Sequence, residues 1–173
     1  MWNGLEYPLK PKKEVRMLRA AKIGDLNFVF ELIIEGAEKG HFSRELCESP
    51  NEAHAFRLEL ASILENGVNQ EGMQSYGLVY ESEGKRIGFM FMKAAFANRG
   101  NELWLAAIHP DYRNKGFGKA MILTVLNKFQ GKNLYLYARC SPESKVMYQL
   151  LIKNGFQLNK IGSDGTRALI YQL

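Results

Sequence analysis

Cysteine, long apolar runs and dense charge blocks are all scarce in this chain, and each scarcity excludes something. The two cysteines, Cys47 and Cys140, stand far apart with no CxxC pattern, so no metal site is expected and no disulfide is inferred. Reduced thiols in a cytoplasmic setting fit that usage. No apolar run approaches the length that crosses a bilayer, and the first residues lack the basic-then-apolar order of a signal peptide, so no membrane partner is expected. The densest basic stretch, Lys10 to Lys13 with Arg16 and Arg19, reads as a solvated lead-in and falls short of a nucleic-acid surface. There is no Gly-Lys-Ser/Thr of a Walker loop, no Rossmann glycine spacing, no internal repeat and no low-complexity segment.

What is present is a core and a modest positive charge. At 173 residues and 46% hydrophobic, residues 1–173 read as one domain, with 1–13, which hold Gly4, Pro8 and Pro11, as an irregular arm. Lys+Arg 23 against Asp+Glu 18 leaves 23 − 18 = +5, which suits an anionic ligand such as a nucleotide cofactor.

The pattern predicts seven strands and four helices. Val15 to Ala21 is a first strand. Asp25 is an N-cap for a helix carrying Leu26, Val29, Phe30, Ile33 and Ile34, ended by Gly36 or Gly40. After Ser49-Pro50, a second helix shows Ala53, Phe56, Leu60, Ile63 and Leu64, closed by Asn66-Gly67. Tyr76 to Glu81 and Arg86 to Ala97 are strands joined by the turn Ser82-Glu83-Gly84-Lys85. A turn over Asn98 to Asn101 leads to a strand at Glu102, whose apolar stretch Leu103 to Ile108 reads as buried on both faces. A third helix starts at about Lys119, with Ile122, Val125, Leu126 and Phe129 on its face. Leu134 to Ala138 is a buried strand, Ser144 to Asn154 the last helix, and Phe156 to Ile161 with Arg167 to Tyr171 a closing hairpin. Antiparallel strands followed by a strand-loop-helix unit make a mixed, mostly antiparallel sheet flanked by helices, of α+β (three-layer) class.

Between the apolar strand and the third helix lies Arg113-Asn-Lys-Gly-Phe-Gly118. Gly116 and Gly118 can take backbone angles closed to other residues and let main-chain N–H groups approach a ligand. The following helix would aim its free N–H groups and positive dipole end at the same place, so a phosphate would fit there.

Ile108-His109-Pro110 followed by Arg113-x-x-Gly116-x-Gly118 resembles motif A of the GCN5-related N-acetyltransferases (GNAT superfamily), whose loop holds the pyrophosphate of acetyl-coenzyme A. Asn154-Gly155-Phe156 resembles the family's closing motif, and the order of elements extends the likeness over nearly the whole chain. The resemblance implies acetyl-CoA as co-substrate and no metal. It assigns Ala106, Ala107 and Ile108 to the pantetheine arm, and Arg113, Asn114, Lys115, Gly116, Phe117, Gly118 and Lys119 to the phosphates. It also places the acceptor wall in residues 36 to 75.

Acetyl transfer to an amine requires a polarised carbonyl, a deprotonated amine and a stabilised thiolate. Glu102, six residues before Ile108, has the offset of the glutamate base in the histone-acetyltransferase branch; the alternative is that it ends a hairpin in solvent, with ordered water activating the amine. His41, in a Gly-bounded loop beside Ser43 and Arg44, is a second candidate base; His109 reads as structural and His54 as a helix-surface residue. At the position where relatives carry the tyrosine that protonates the thiolate this chain has Leu151, so Tyr148, one turn earlier, is the candidate acid and would need a shifted register. Ser144 stands where relatives often have asparagine, and Cys140 and Ser141 lie near the expected thioester region. No acidic cluster is evident in the loops, which argues against a polycationic acceptor such as an aminoglycoside. The leading expectation is an N-acetyltransferase acting by direct attack on a primary amine of a small molecule or a protein; the alternative is a non-catalytic acyl-CoA-binding regulatory module. An exposed sheet edge would support a homodimer.

Overall fold

The computed structural model describes residues 16–95 and 99–172. The predicted arm 1–13, the end of the third strand at Ala97 and the start of the following turn at Asn98 fall outside the described residues. The elements run β1 (Arg16–Ala20), α1 (Leu26–Glu38), α2 (Glu45–Glu48), α3 (Pro50–Asn66), β2 (Ser75–Ser82), β3 (Lys85–Ala95), β4 (Gly100–Ile108), α4 (Phe117–Phe129), β5 (Tyr135–Cys140), α5 (Lys145–Lys153), β6 (Gln157–Ile161) and β7 (Arg167–Gln172). The seven strands form one sheet in the order β1-β2-β3-β4-β5-β7-β6, with β4 and β5 its parallel pair and the other neighbours antiparallel.

Alternation along β3 builds two cores at once. Phe89 and Phe91 face α1 and α3, among Val29, Ile33, Leu60 and Ile63, while Met90 and Met92 face Met121, Ile122, Val125 and Leu151 of α4 and α5. All four β3 side chains are fully buried, and each contributes roughly 1.5–3 kcal/mol by leaving water. The β2–β3 turn has Glu83 at φ 50° and Gly84 at φ 74°, the two positive angles of a type I′ hairpin. No helix among the described residues is long and apolar enough to cross a membrane.

Local details depart from the sequence expectation. A further one-turn helix, α2, lies in the segment expected as loop. Gly36 does not end α1; it sits inside the helix because the Phe42 ring covers it, 2.6 Å from where a Cβ would stand, and Gly40 at φ 75° makes the exit. The Asp25 side chain does not cap α1. Its carboxylate accepts from the Lys22 N–H (2.9 Å) and from Arg19 (2.7 Å), closing the short 3-10 turn before the helix. α4 begins at Phe117, two residues before the predicted start.

Candidate active site

β4 outruns its parallel partner. Ladder pairing with β5 ends at Leu103↔Ala138, yet β4 continues to Ile108, so its last five residues have no β5 partner among the described residues. Just there Phe91 pairs with Leu105 and Met92 with Leu103, which leaves Trp104 as the extra residue of a β-bulge. The bulge turns both Trp104 and Leu105 to the α1/α3 face, and Ala106 and Ile108 to the α4/α5 face. The strands therefore diverge into a cleft of about 630 Å³, walled by β4, β5, the start of α4, α5 and the last turn of α1. This explains why Trp104 and Ala106 to Ile108, although largely apolar, are only half-buried.

At one end of the cleft stands the glycine loop. Asn114 at φ 60° and Gly116 at φ 81° alternate left-handed positions with their neighbours, and Gly116 is the N-cap of α4 without any side-chain cap. The first helical N–H groups are thus turned towards the cleft end, a backbone anion nest at a positive helix terminus. A Cβ at Gly116 would meet nothing within 4 Å, so the space in front of the loop is open. Arg113, Asn114, Gly116, Gly118 and Lys119 all line the cleft.

Ala106, Ala107 and Ile108 line it as well, with the β5-facing edge of their backbone free of a strand partner. Lys115 and Phe117 are placed differently. Lys115 Nζ donates to the Asp111 carbonyl (2.8 Å), over the Tyr112 ring, and the Phe117 ring is buried between Tyr80 and Tyr112, so only backbone from these two faces the nest. Arg113 uses its side chain within the protein: Nε donates to Ile108 O (2.8 Å) and both terminal nitrogens hold Glu35 of α1.

The three candidate catalytic side chains do not come together. Glu102 lies outside the cleft walls, one oxygen accepting from Arg139 Nε (2.7 Å) and the other 3.6 Å from Lys93 Nζ. Tyr148 is also outside the walls, and the Arg167 guanidinium covers its ring at 4.6 Å. Leu151 itself lines the cleft and is buried. His41 does line the cleft. Its Nδ1 is 3.1 Å from Ser144 Oγ, and Ser144 Oγ is 2.9 Å from Ser141 Oγ, a chain of hydrogen bonds from the α1 exit loop to the lead-in of α5. Cys140 lines the cleft with a buried thiol, which desolvation pushes up to about 11.

A second cavity of about 330 Å³ lies on the α1/α3 side of the bulge and shares Phe42 and Trp104 with the cleft. Phe56 meets Trp104 edge-on at 5.7 Å, and Glu45, Glu52 and Glu59 stand around the same space with no ion-pair partner among the described residues. An acidic cluster thus exists where none was evident in the sequence. Glu52 and Glu59 were legible as a pair seven apart on one helix face, but Glu45 joins them only because α2 folds back on α3.

Residues 74–158 match the family model described as acetyltransferase (GNAT) domain. The fold is similar to PaiA N-acetyltransferase from Thermoplasma acidophilum, solved with coenzyme A (TM-score 0.73, 20% identity, 92% of this chain and 99% of that one covered). It is also similar to spermidine N-acetyltransferase from Vibrio cholerae, solved with CoA and spermine (TM-score 0.70, 21% identity, 91% and 95% covered). A third similar structure is a GNAT superfamily phosphinothricin acetyltransferase from Sinorhizobium meliloti in complex with AcCoA (TM-score 0.69, 22% identity, 91% and 88% covered). A comparison with curated protein sequences finds no significant match.

Proposed function

Because residues 74–158 match the acetyltransferase (GNAT) domain model, we propose that the chain is a GNAT-family, acetyl-CoA-dependent N-acetyltransferase whose acceptor is a cationic primary amine. The observation that carries the cofactor half is the uncapped α4 terminus behind Gly116, opening on a cleft that begins where β4 parts from β5. When bound, acetyl-CoA supplies an activated acetyl thioester. The α4 N–H groups and the nest around Gly116 would hold its pyrophosphate, with Lys119 and Asn114 beside it. The β5-facing edge of the Ala106 to Ile108 backbone, which has no strand partner among the described residues, would take the amide groups of the pantetheine arm as a missing strand would. The small side chains of Ala106 and Ala107 leave that backbone accessible.

The acceptor half rests on the second cavity. Three carboxylates without an ion-pair partner among the described residues and the rings of Phe42 and Phe56 suit an alkylammonium chain, which carboxylates attract and aromatic faces stabilise by roughly 0.5–2 kcal/mol per contact, while the Trp104 ring already carries the Lys93 ammonium at 5.0 Å. Because Phe42 and Trp104 border both spaces, an amine lying in the acidic cavity reaches the cleft beside the bulge. The similar structure solved with spermine supports this class of acceptor.

The test has two stages. Calorimetric titration with acetyl-CoA should show binding by the parent and none by a variant with Gly116 and Gly118 both replaced by valine. Free-thiol release from acetyl-CoA is then followed with spermidine, a lysine-containing peptide and phosphinothricin. Spermidine turnover above the others supports the proposal; failure of the parent to bind acetyl-CoA would sink it, and binding without turnover of any amine favours a regulatory module.

A further inference from the structure

We propose that His41, Ser144 and Ser141 form a proton relay across the cleft, moving the proton that leaves the amine to the sulfur that leaves the thioester; this rests on the acetyl-CoA reading. Transfer of an acetyl group from sulfur to nitrogen makes a C–N bond and breaks a C–S bond, so nitrogen must lose a proton and the departing sulfur must gain one. The α5 residues that line the cleft between Ser144 and Lys153 are Val146, Met147, Gln149, Leu150 and Leu151, and none of them is an acid. Tyr148 is held outside by Arg167. Cys140 is buried and has no hydrogen-bond partner among the described residues through which a proton could be returned to it. Tyr112 belongs to the nest end of the cleft, next to Arg113 in the chain, and its ring packs on Phe117.

Ser144 is distinguished by what its hydroxyl does. It is the N-cap residue of α5, where a serine normally accepts from a helix N–H. Here it makes no such bond, and its oxygen lies instead between His41 Nδ1 (3.1 Å) and Ser141 Oγ (2.9 Å). The imidazole is brought there by an exit loop built for close approach. His41 N–H donates to Gly36 O (2.8 Å), the Phe42 ring lies on Gly36, and Gly40 at φ 75° faces Glu143, whose Cγ is 3.0 Å from where a Cβ would stand. A side chain at Gly40 would crowd Glu143 before α5 and strain the left-handed turn.

Once the ammonium form of the acceptor has released one proton to solvent, the relay balances for the neutral amine with no further acid or base. His41 starts with its proton on Nδ1, donating to Ser144 Oγ. As the C–S bond breaks, Ser144 passes its hydroxyl proton to the sulfur and takes the Nδ1 proton, while His41 Nε2 takes the proton leaving the nitrogen. The products are an amide and a free thiol, and His41 ends neutral as the other tautomer, which exchange with solvent at this exposed ring resets. Ser141 accepts or donates at Ser144 and keeps the hydroxyl directed. The positive end of α5 favours the developing thiolate. The charged and titratable groups that line the cleft with His41 are Glu35, Tyr112, Arg113, Lys119, Arg139, Cys140, Glu143 and Lys153, and Lys39 and Arg44 stand near it in the chain.

The test uses the full chain with CoA and with desulfo-CoA, which lacks the thiol, and needs no acceptor. The ultraviolet absorbance of the thiolate is titrated against pH in bound CoA. The midpoint should be about one pH unit higher in Ser144→Ala and in His41→Gln than in the parent, a tenfold change in ionisation, and Ser144→Thr should retain the parent value. The His41 imidazole resonance should titrate differently with CoA than with desulfo-CoA. Equal midpoints in parent and both variants, with CoA affinity within twofold, would overturn the relay, as would identical His41 titrations with the two ligands. A parent that binds neither ligand fails at the cofactor reading instead, which separates the two failures.

Discussion

The guanidinium of Arg113 and the carboxylate of Glu35, 78 positions apart in sequence, face each other as a two-point pair, Nη1 to Oε1 at 2.9 Å and Nη2 to Oε2 at 2.5 Å. With Nε also on Ile108 O, Arg113 ties the last turn of α1 to the end of β4 and to the start of the glycine loop. The side chain of Arg113 therefore orders the cleft instead of reaching freely for a phosphate.

That pair has a pH signature. The hydrogen bonds from Arg113, with a smaller contribution from Lys39, lower the Glu35 pKa from 4.5 to about 2 against the opposing effect of burial. A depressed carboxylate pKa adds stability above its unfolded value, and that stability is lost as pH falls from 4.5 towards 2. In chemical denaturation, Glu35→Gln should be less stable than the parent above pH 4.5, with the gap closing as pH approaches 2. A pH-independent gap would show that the charge of Glu35 is not what matters.

Gly116 and Gly131 provide a matched pair. Both hold positive φ, 81° and 76°, and neither has an atom within 4 Å of a notional Cβ. Alanine at either position should cost about 1 kcal/mol of stability through backbone strain. Only Gly116→Ala should also lower acetyl-CoA affinity, tenfold or more by calorimetry, because only that methyl group would enter the nest. Equal affinities for the two variants would remove the nest from cofactor binding.

Gly88 is required for a different reason. A Cβ there would stand 2.5 Å from Ala107 O, a backbone atom of the neighbouring strand that lines the cleft. Gly88→Ala should lower stability by about 1–3 kcal/mol as the strands part. Gly24→Ala, with nothing within 4 Å, is the control and should leave the denaturation midpoint close to that of the parent.

The two thiols should differ sharply. Cys47 is exposed, whereas Cys140 is buried and its thiol is pushed up to about 11. At neutral pH the thiolate is the reactive form, so one thiol should react rapidly with an aromatic disulfide reagent in the native protein and the second only after unfolding. Cys47→Ser should abolish the fast phase; a fast phase that persists would mean that Cys140 is accessible.

Replacing Glu45, Glu52 and Glu59 together with glutamine should raise KM for spermidine about tenfold or more and leave the acetyl-CoA affinity nearly unchanged. The parent's KM should rise with added salt, since these carboxylates are partly exposed, and the variant's should rise less. An unchanged KM would move the acceptor elsewhere.

Sequence determined much of this protein by itself. Turn chemistry and periodicity are local, so the Glu83-Gly84 hairpin, the helix ending at Gly155 (φ 98°) and the loop Arg113 to Gly118 could be read from neighbouring residues alone. The apolar run of Leu103 to Ile108 likewise announced a strand with a core on each face. What only the tertiary structure decided are the meetings of distant residues: Arg113 with Glu35, His41 with Ser144, and Glu45 with Glu52 and Glu59. It also decided that Tyr148 turns under Arg167 and that Glu102 is held by Arg139 and Lys93. The physical reason is range. A backbone angle is set within a few residues, whereas the partner of a charge or a hydroxyl is set by where the bulge at Trp104 and the parting of β4 from β5 place the walls of the cleft.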